Sequence, residues 1–172
     1  MPLILDGTTG IVANNIADYA VTTTKLANGA ITIPKMGYAG AVLQVVSTQS
    51  TTQVSVTNGN TAIGLSASIT VQPSSKVLVL TVVPWYEGGS GTWGNAGTSR
   101  INQNGSVVAF SEHTGTKATE EAAWTNPLNY MTGSLTAGTY TFEVTHGITI
   151  GGTHVCMRDG RIGTIMLLEI AG

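Results

Sequence analysis

Charge is what this sequence has least of. Only 9% of its residues are Asp, Glu, Lys or Arg, against roughly 25% in ordinary soluble domains. The net charge of -2, with no basic run anywhere, leaves no electrostatic footprint for nucleic acid. Cysteine is nearly missing too. Cys156 alone excludes an intrachain disulfide framework and fits folding in a reducing cytoplasm. The longest apolar stretch, Val77 to Leu80 and on to Trp85, is too short for a membrane-spanning helix. The opening Met1-Pro2-Leu3-Ile4-Leu5-Asp6 lacks the basic start and long apolar run of a signal peptide, so the expectation is a product made in a cytoplasm and not exported by itself.

Helix formers are scarce as well, and what remains is strand material. Polarity comes from Ser, Thr, Asn, Gln and 22 Gly, while 42% of residues are apolar. β-Branched Thr, Val and Ile pack on a pleated surface, and Gly supplies positive φ at turns. The 172 residues fit one ordinary domain, or a small domain plus an appendage. So apolar a chain with so few charges is poorly protected as a monomer, which points to neighbouring copies covering it.

The start of the chain repeats with a period of ten. Ala20-Val21-Thr22-Thr23-Thr24-Lys25-Leu26 aligns with Ala30-Ile31-Thr32-Ile33-Pro34-Lys35-Met36, and a weaker copy runs through Ile11 and Ile16. Ile11, Val21 and Ile31 form one apolar row; Ile16, Leu26 and Met36 form another. Two apolar side chains per ten residues cannot offset a folding entropy of roughly 1–2 kcal/mol per residue within one chain. Three chains around a shared axis could bury both rows. The reading is therefore an arm over 1–9 that anchors to another protein, a trimer stalk over 10–40 with those six residues as its core, and a head over 41–172.

From Ala41 onward strand signals come at close spacing. Val42–Val46 and Gln53–Val56 are short runs, and Ser66–Val71 alternates with Ala67, Ile69 and Val71 on one face. Lys76–Val83 is apolar on both faces and reads as a central strand. Gly88–Gly91 reads as a loop, and Asn104-Gly105 as a type I′ turn joining Arg100–Gln103 to Ser106–Phe110. Glu112 to Asn129 reads as a long polar loop with a helical turn at Thr119–Ala123. Thr139–Val144 and Ile162–Ile170 supply the last strands. About eight to ten strands without βαβ spacing predict an all-β antiparallel sandwich of the jelly-roll kind.

Three segments, in order, carry a resemblance: Ser66 to Val79, Ala137 to Phe142, and the closing Thr164-Ile165-Met166-Leu167-Leu168-Glu169-Ile170. Together they resemble the distal domains of phage fibre proteins, whose members are similar to trimeric jelly rolls of the C1q and tumour-necrosis-factor type. The opening Met1 to Ile11 looks like the starts of fibre proteins from marine and cyanobacterial phages. The resemblance implies a homotrimeric virion component, made in the host cytoplasm, that attaches to the host surface as a tail fibre. A capsid head fibre or decoration protein, held by the arm, is the alternative; a non-viral C1q-like binding module is the second. His154-Val155-Cys156-Met157-Arg158-Asp159 departs from the aromatic or Asn-Arg-rich strand usual there, so receptor specificity does not transfer with that segment.

No catalytic grouping, cofactor motif or metal-ligand spacing stands out, and the expectation is a non-enzyme. His113, His146 and His154 are far apart in sequence and lack zinc spacing. His154 and Cys156 share a strand face, and threefold symmetry would bring such pairs near an axis, but a structural His and a buried Cys is the preferred reading. Glu120-Glu121 reads as a solvated surface. Aromatic rings at strand ends are the better candidates. Trp85, Tyr86, Trp93, Trp124 and Tyr130 flank the loops, where rings can stack on a host glycan and Glu87, Asn95 or Asn126 can bind hydroxyls. The competing role for these rings is to fill strand ends or a subunit interface.

Overall fold

The computed structural model describes residues 39–57, 59–88, 96–114, 123–150 and 152–172. The expected arm and nearly all of the expected stalk, including Ile11, Ile16, Val21, Leu26, Ile31 and Met36, lie outside the described residues. Within these residues the chain forms β1 (Val42–Ser50), β2 (Val54–Val56), β3 (Asn60–Val71), β4 (Lys76–Gly88) and β5 (Ala96–Gln103). Then come β6 (Ser106–Thr114), β7 (Ala123–Met131), β8 (Gly138–Ile150), β9 (Thr153–Cys156) and β10 (Gly163–Ile170). Every pairing among them is antiparallel.

Two sheets result. One has 6 strands, with β1-β10-β4-β9-β2 in order and β7 on the other edge of β4; the second has 4, in the order β3-β8-β5-β6. Strands β10 and β9 lie end to end along the same edge of β4, β10 opposite Lys76–Val82 and β9 opposite Trp85–Gly88. Pro84 falls where the ladder on that edge passes from one to the other, so its missing N–H removes no rung there. Its carbonyl accepts from the Met157 N–H at 3.0 Å instead. The order β1-β10-β4-β7 over β3-β8-β5-β6 makes an antiparallel sandwich consistent with a jelly roll.

Period-two alternation fills the space between the sheets. On β3, Ile63, Leu65, Ala67, Ile69 and Val71 are buried, while Ser66, Ser68 and Thr70 are exposed. They meet Val77, Val79, Val83 and Trp85 of β4, Phe142 and Val144 of β8, and Ile165 and Leu167 of β10 in one core. Outside, the four-stranded sheet is faced with hydroxyls: Ser68 pairs with Thr141 and Thr70 with Thr139, both at 2.8 Å. The β5–β6 connection is the expected one. Asn104 and Gly105 take φ of 49° and 84°, the left-handed pair that a type I′ turn requires and that matches strand twist.

One sequence expectation is corrected. Glu112–Asn129 is not a loop throughout: Glu112–Thr114 ends β6, and Ala123–Asn129 lies in β7. Residues 115–122, with the expected helical turn and Glu120-Glu121, lie outside the described residues, but Ala123 is strand. Polar Asn126 interrupts the inward series Trp124, Leu128, Tyr130, and Pro127 speaks against a strand. Pro127 is tolerated because β7 is an edge strand, laddered on one side by β4 alone.

The Glu of the closing motif has a structural task. Glu169 is buried inside the sandwich at the end where β3 turns into β4. Its carboxylate accepts from the Gln72 N–H and from Gln44 Nε2, each at 2.6 Å. Burial pushes its carboxyl up, but these hydrogen bonds and one from Ser75 outweigh burial and hold it below the ordinary carboxylate value. One side chain thus ties β10 to β1 and to the β3–β4 turn. Glu169→Gln, which replaces an acceptor oxygen by a donor facing donors, is expected to lower stability by about 1–3 kcal/mol. Urea unfolding followed by tryptophan fluorescence measures this, and an unchanged midpoint would rule the clamp out.

Candidate functional site

Strand β4 carries apolar side chains on both faces, and only the inner set is covered. Leu78, Leu80 and Val82 point outward from the six-stranded sheet, and the register lines them up with equivalent positions on three other strands. Val45, Leu168, Leu78 and Met131 stand side by side across β1, β10, β4 and β7. The next rows are Ser47, Met166, Leu80, Asn129, and then Gln49, Thr164, Val82, Pro127. Val45 is 54% exposed, Met131 46%, Val82 40% and Leu80 38%. No Lys, Arg, Asp or Glu interrupts these rows. The result is an uncharged, largely apolar sheet face that no other strand among the described residues covers, unlike the hydroxyl-paired β3–β8 part of the other sheet's outer face.

At one end of this face Tyr86 also points outward, half-buried. Arg158 and Arg161 place their guanidinium carbons 5.0 Å and 4.6 Å from its ring centre, and Arg161 donates to the phenol oxygen at 2.7 Å. A left-handed turn, with Met157 and Asp159 at φ of 51° and 57°, delivers the two arginines to one ring.

The other candidate rings divide. Trp85 is a correction: it is wholly buried, in the core of the sandwich, and no ligand outside can stack on it. Trp124 and Tyr130 sit on the inward face of β7 and pack half-buried against the core. Trp93 and Asn95 lie outside the described residues, whereas Glu87 and Asn126 are buried. Trp85 stacks between Trp124, with ring centres 4.7 Å apart, and His154, at 4.3 Å.

His146 and His154 are buried, as the preferred structural reading of His154 and Cys156 has it. Distant in sequence, the three histidines converge here: His113 lies edge-on to Trp85 with centres 6.1 Å apart, and His146 and His154 bond to each other. His146 projects inward from β8, His154 inward from β9, and both are fully buried. His146 Nε2 lies 3.0 Å from His154 Nδ1, and His146 Nδ1 lies 3.1 Å from Ser99 Oγ on β5. Asn126 of β7 donates to that same hydroxyl at 3.3 Å. Gly97 makes room for the pair. A Cβ there would come 2.9 Å from His154 Cε1 and 3.0 Å from His146 Nε2. Cys156 faces the same interior, and burial pushes its thiol up to about 12, so neither it nor His154 is placed to meet a symmetry axis outside the sandwich. Among the described residues no cluster of three or more His, Cys, Asp or Glu could hold a metal ion.

Sequence reasoning missed this cluster because its members alternate correctly. Phe142, Val144 and His146 form one inward series, and His154 and Cys156 another, so period two was the available signal that both imidazoles face inside.

No protein-family model matches this chain, and neither does any curated protein. Among solved structures it is similar to dimeric latent PorU from Porphyromonas gingivalis, at 9% identity and TM-score 0.39, covering 78% of this chain and 14% of that one. It is also similar to infectious bursal disease virus, Gx strain, at 12% identity and TM-score 0.37, covering 75% and 32%. The chain spans a minor part of each, and likeness at this level decides neither fold nor function.

Burial lowers both imidazoles, His146 to about 3 and His154 to about 4, with each other's proximity and Arg100 adding to the effect at His146. Both are therefore neutral in the fold at pH 7. Below about pH 6.5 the unfolded chain binds protons that the folded chain refuses, so stability falls with falling pH by up to about 1.4 kcal/mol per pH unit for each histidine. Glu87, opposite His154 and raised by burial, offsets part of this near the acid end. The urea midpoint is expected to drop steadily from pH 6.5 to pH 4.5. A flat midpoint across that range would mean that the pair titrates as it does in water.

Proposed function

We propose that this chain is a structural component of a virion, the subunit of a trimeric fibre that attaches to the host surface. The observation that carries self-association is the uncovered face of the six-stranded sheet. Exposed apolar patches of this extent mark interaction sites on soluble proteins, and the rows through Leu78, Leu80 and Val82 offer no charge that would repel a second copy. Three copies are supported by the resemblance to trimeric fibre tips and by the ten-residue repeat, whose rows Ile11/Val21/Ile31 and Ile16/Leu26/Met36 three chains around a shared axis could bury. The virion setting rests on the ordered segments Ser66–Val79, Ala137–Phe142 and Gly163–Ile170 and their resemblance to fibre tips. In this reading residues 1–9 join other virion proteins, and host contact falls to Tyr86, whose ring points outward, and to Trp93, which lies outside the described residues, rather than to Trp85.

Native mass measurement of the full chain is expected to give a trimer. Leu80→Glu/Met131→Glu, two charges set in the apolar face, is expected to give monomers that keep the β-sheet circular dichroism of the parent. A parent chain that is monomeric at micromolar concentration would end the reading. Trimers carrying Tyr86→Ala and Trp93→Ala are expected to lose at least tenfold in binding to host cells, and undiminished binding would remove those rings from the host contact. Copy number per virion separates the settings: tens of copies belong to a tail, whereas hundreds would move the protein to the capsid.

A further inference from the structure

Among the described residues, three buried polar atoms at the histidine end of the sandwich have no hydrogen-bond partner: Trp85 Nε1, Glu87 Oε1 and His154 Nε2. They belong to one neighbourhood. Trp85 and Glu87 are two apart on the inward face of β4, Glu87 stands directly opposite His154 in the β4–β9 register, and the Trp85 ring stacks on the His154 ring. A single unpaired buried group costs roughly 1–3 kcal/mol, so three on adjoining residues call for a partner that the described side chains do not supply.

The donor pattern says what that partner must offer. Asn126 gives its N–H to Ser99 Oγ, and the one remaining partner of that hydroxyl is His146 Nδ1. Giving the Ser99 hydrogen to His146 Nδ1 is the arrangement in which that hydroxyl both accepts and donates, and it makes His146 Nδ1 an acceptor. A neutral His146 then carries its proton on Nε2 and donates it to His154 Nδ1. A neutral His154 in turn carries its proton on Nε2, one of the three unpaired atoms. The indole Nε1 of Trp85 is a donor only, and Glu87 Oε1 is an acceptor when ionised. The wall thus presents two N–H donors and one carboxylate oxygen.

We propose that this wall is a binding site for one hydroxylic molecule, a water held between Trp85, His154 and Glu87. Its oxygen accepts from the indole and the imidazole, and one of its hydrogens goes to the carboxylate. Water meets the demand because it accepts two hydrogen bonds while donating, and buried waters commonly make about three. A metal ion fails at this wall, since both N–H groups face it with hydrogen and not with lone pairs. The bound water closes a relay from Asn126 through Ser99, His146 and His154 to Glu87, which joins β7, β5, β8, β9 and β4 across both sheets.

The test is ¹⁵N-resolved NMR of the deuterated full chain at pH 7, using Trp85→Phe to assign the indole signal. Both buried histidines are expected as Nε2–H tautomers. The Trp85 indole N–H and the His154 Nε2–H are both expected to show direct cross-relaxation with a long-lived water. Gly97→Ala, whose Cβ intrudes on both imidazoles, is expected to abolish the His154 water signal while the amides around Glu169, at the opposite end of the sandwich, keep their shifts. A His154 carrying its proton on Nδ1, or an indole proton in the parent without any water cross-peak, overturns the proposal.

Discussion

Strand β4 sets the terms for everything around it. Successive side chains of a strand must leave on opposite faces, and from Val77 to Val83 nearly every position of β4 is apolar. One half of that series builds the core with Phe142, Ile165 and Leu167. The other half is committed by the same geometry to the outer face, where no other strand among the described residues covers it. A one-residue slip would not help, because it would exchange one apolar set for another. The register is fixed instead by the partners along both edges of β4: β10 and β9 on one, β7 on the other. Pro84 can sit within so central a strand because it falls at the joint between two of those partners.

The two ends of the interior solve the burial of polar groups in opposite ways. At the β3–β4 turn, Glu169 stays charged because backbone and side-chain donors surround its oxygens. At the other end, His146 and His154 stay neutral because burial disfavours a proton on either, with His154 and Arg100 adding to the effect at His146. Acid works against both ends. The imidazoles respond first, since their unfolded counterparts take up protons about two pH units above those of carboxylates.

Much of the sandwich was legible because its strands announce themselves. Ser66–Val71 alternates cleanly, Asn104-Gly105 permits few alternatives to a tight hairpin, and Gly163–Ile170 runs as a strand to the end. Strand β7 was not legible, since Asn126 and Pro127 carry opposite local preferences and only the edge position of β7 reconciles them. The histidine cluster required tertiary knowledge. His146 and His154 lie on different sheets, and no local rule says that β8 and β9 face one another across the core. Trp85 misled for a related reason. Its place beside Tyr86 and a Gly-rich stretch suggests an exposed ring, yet the alternation that sends Tyr86 out sends Trp85 in.

The paired hydroxyls on the outside of the four-stranded sheet have a consequence of their own. Ser68 with Thr141, and Thr70 with Thr139, are bonds in which either oxygen can be the donor. Such a surface can reverse its pattern of giving and receiving by rotating a few C–O bonds. The charges on that side, Glu143, Arg100 and Glu112, lie beyond these pairs on β8, β5 and β6, so salt screens them and leaves the paired hydroxyls unchanged. Those two pairs present the same face in fresh water and in brine.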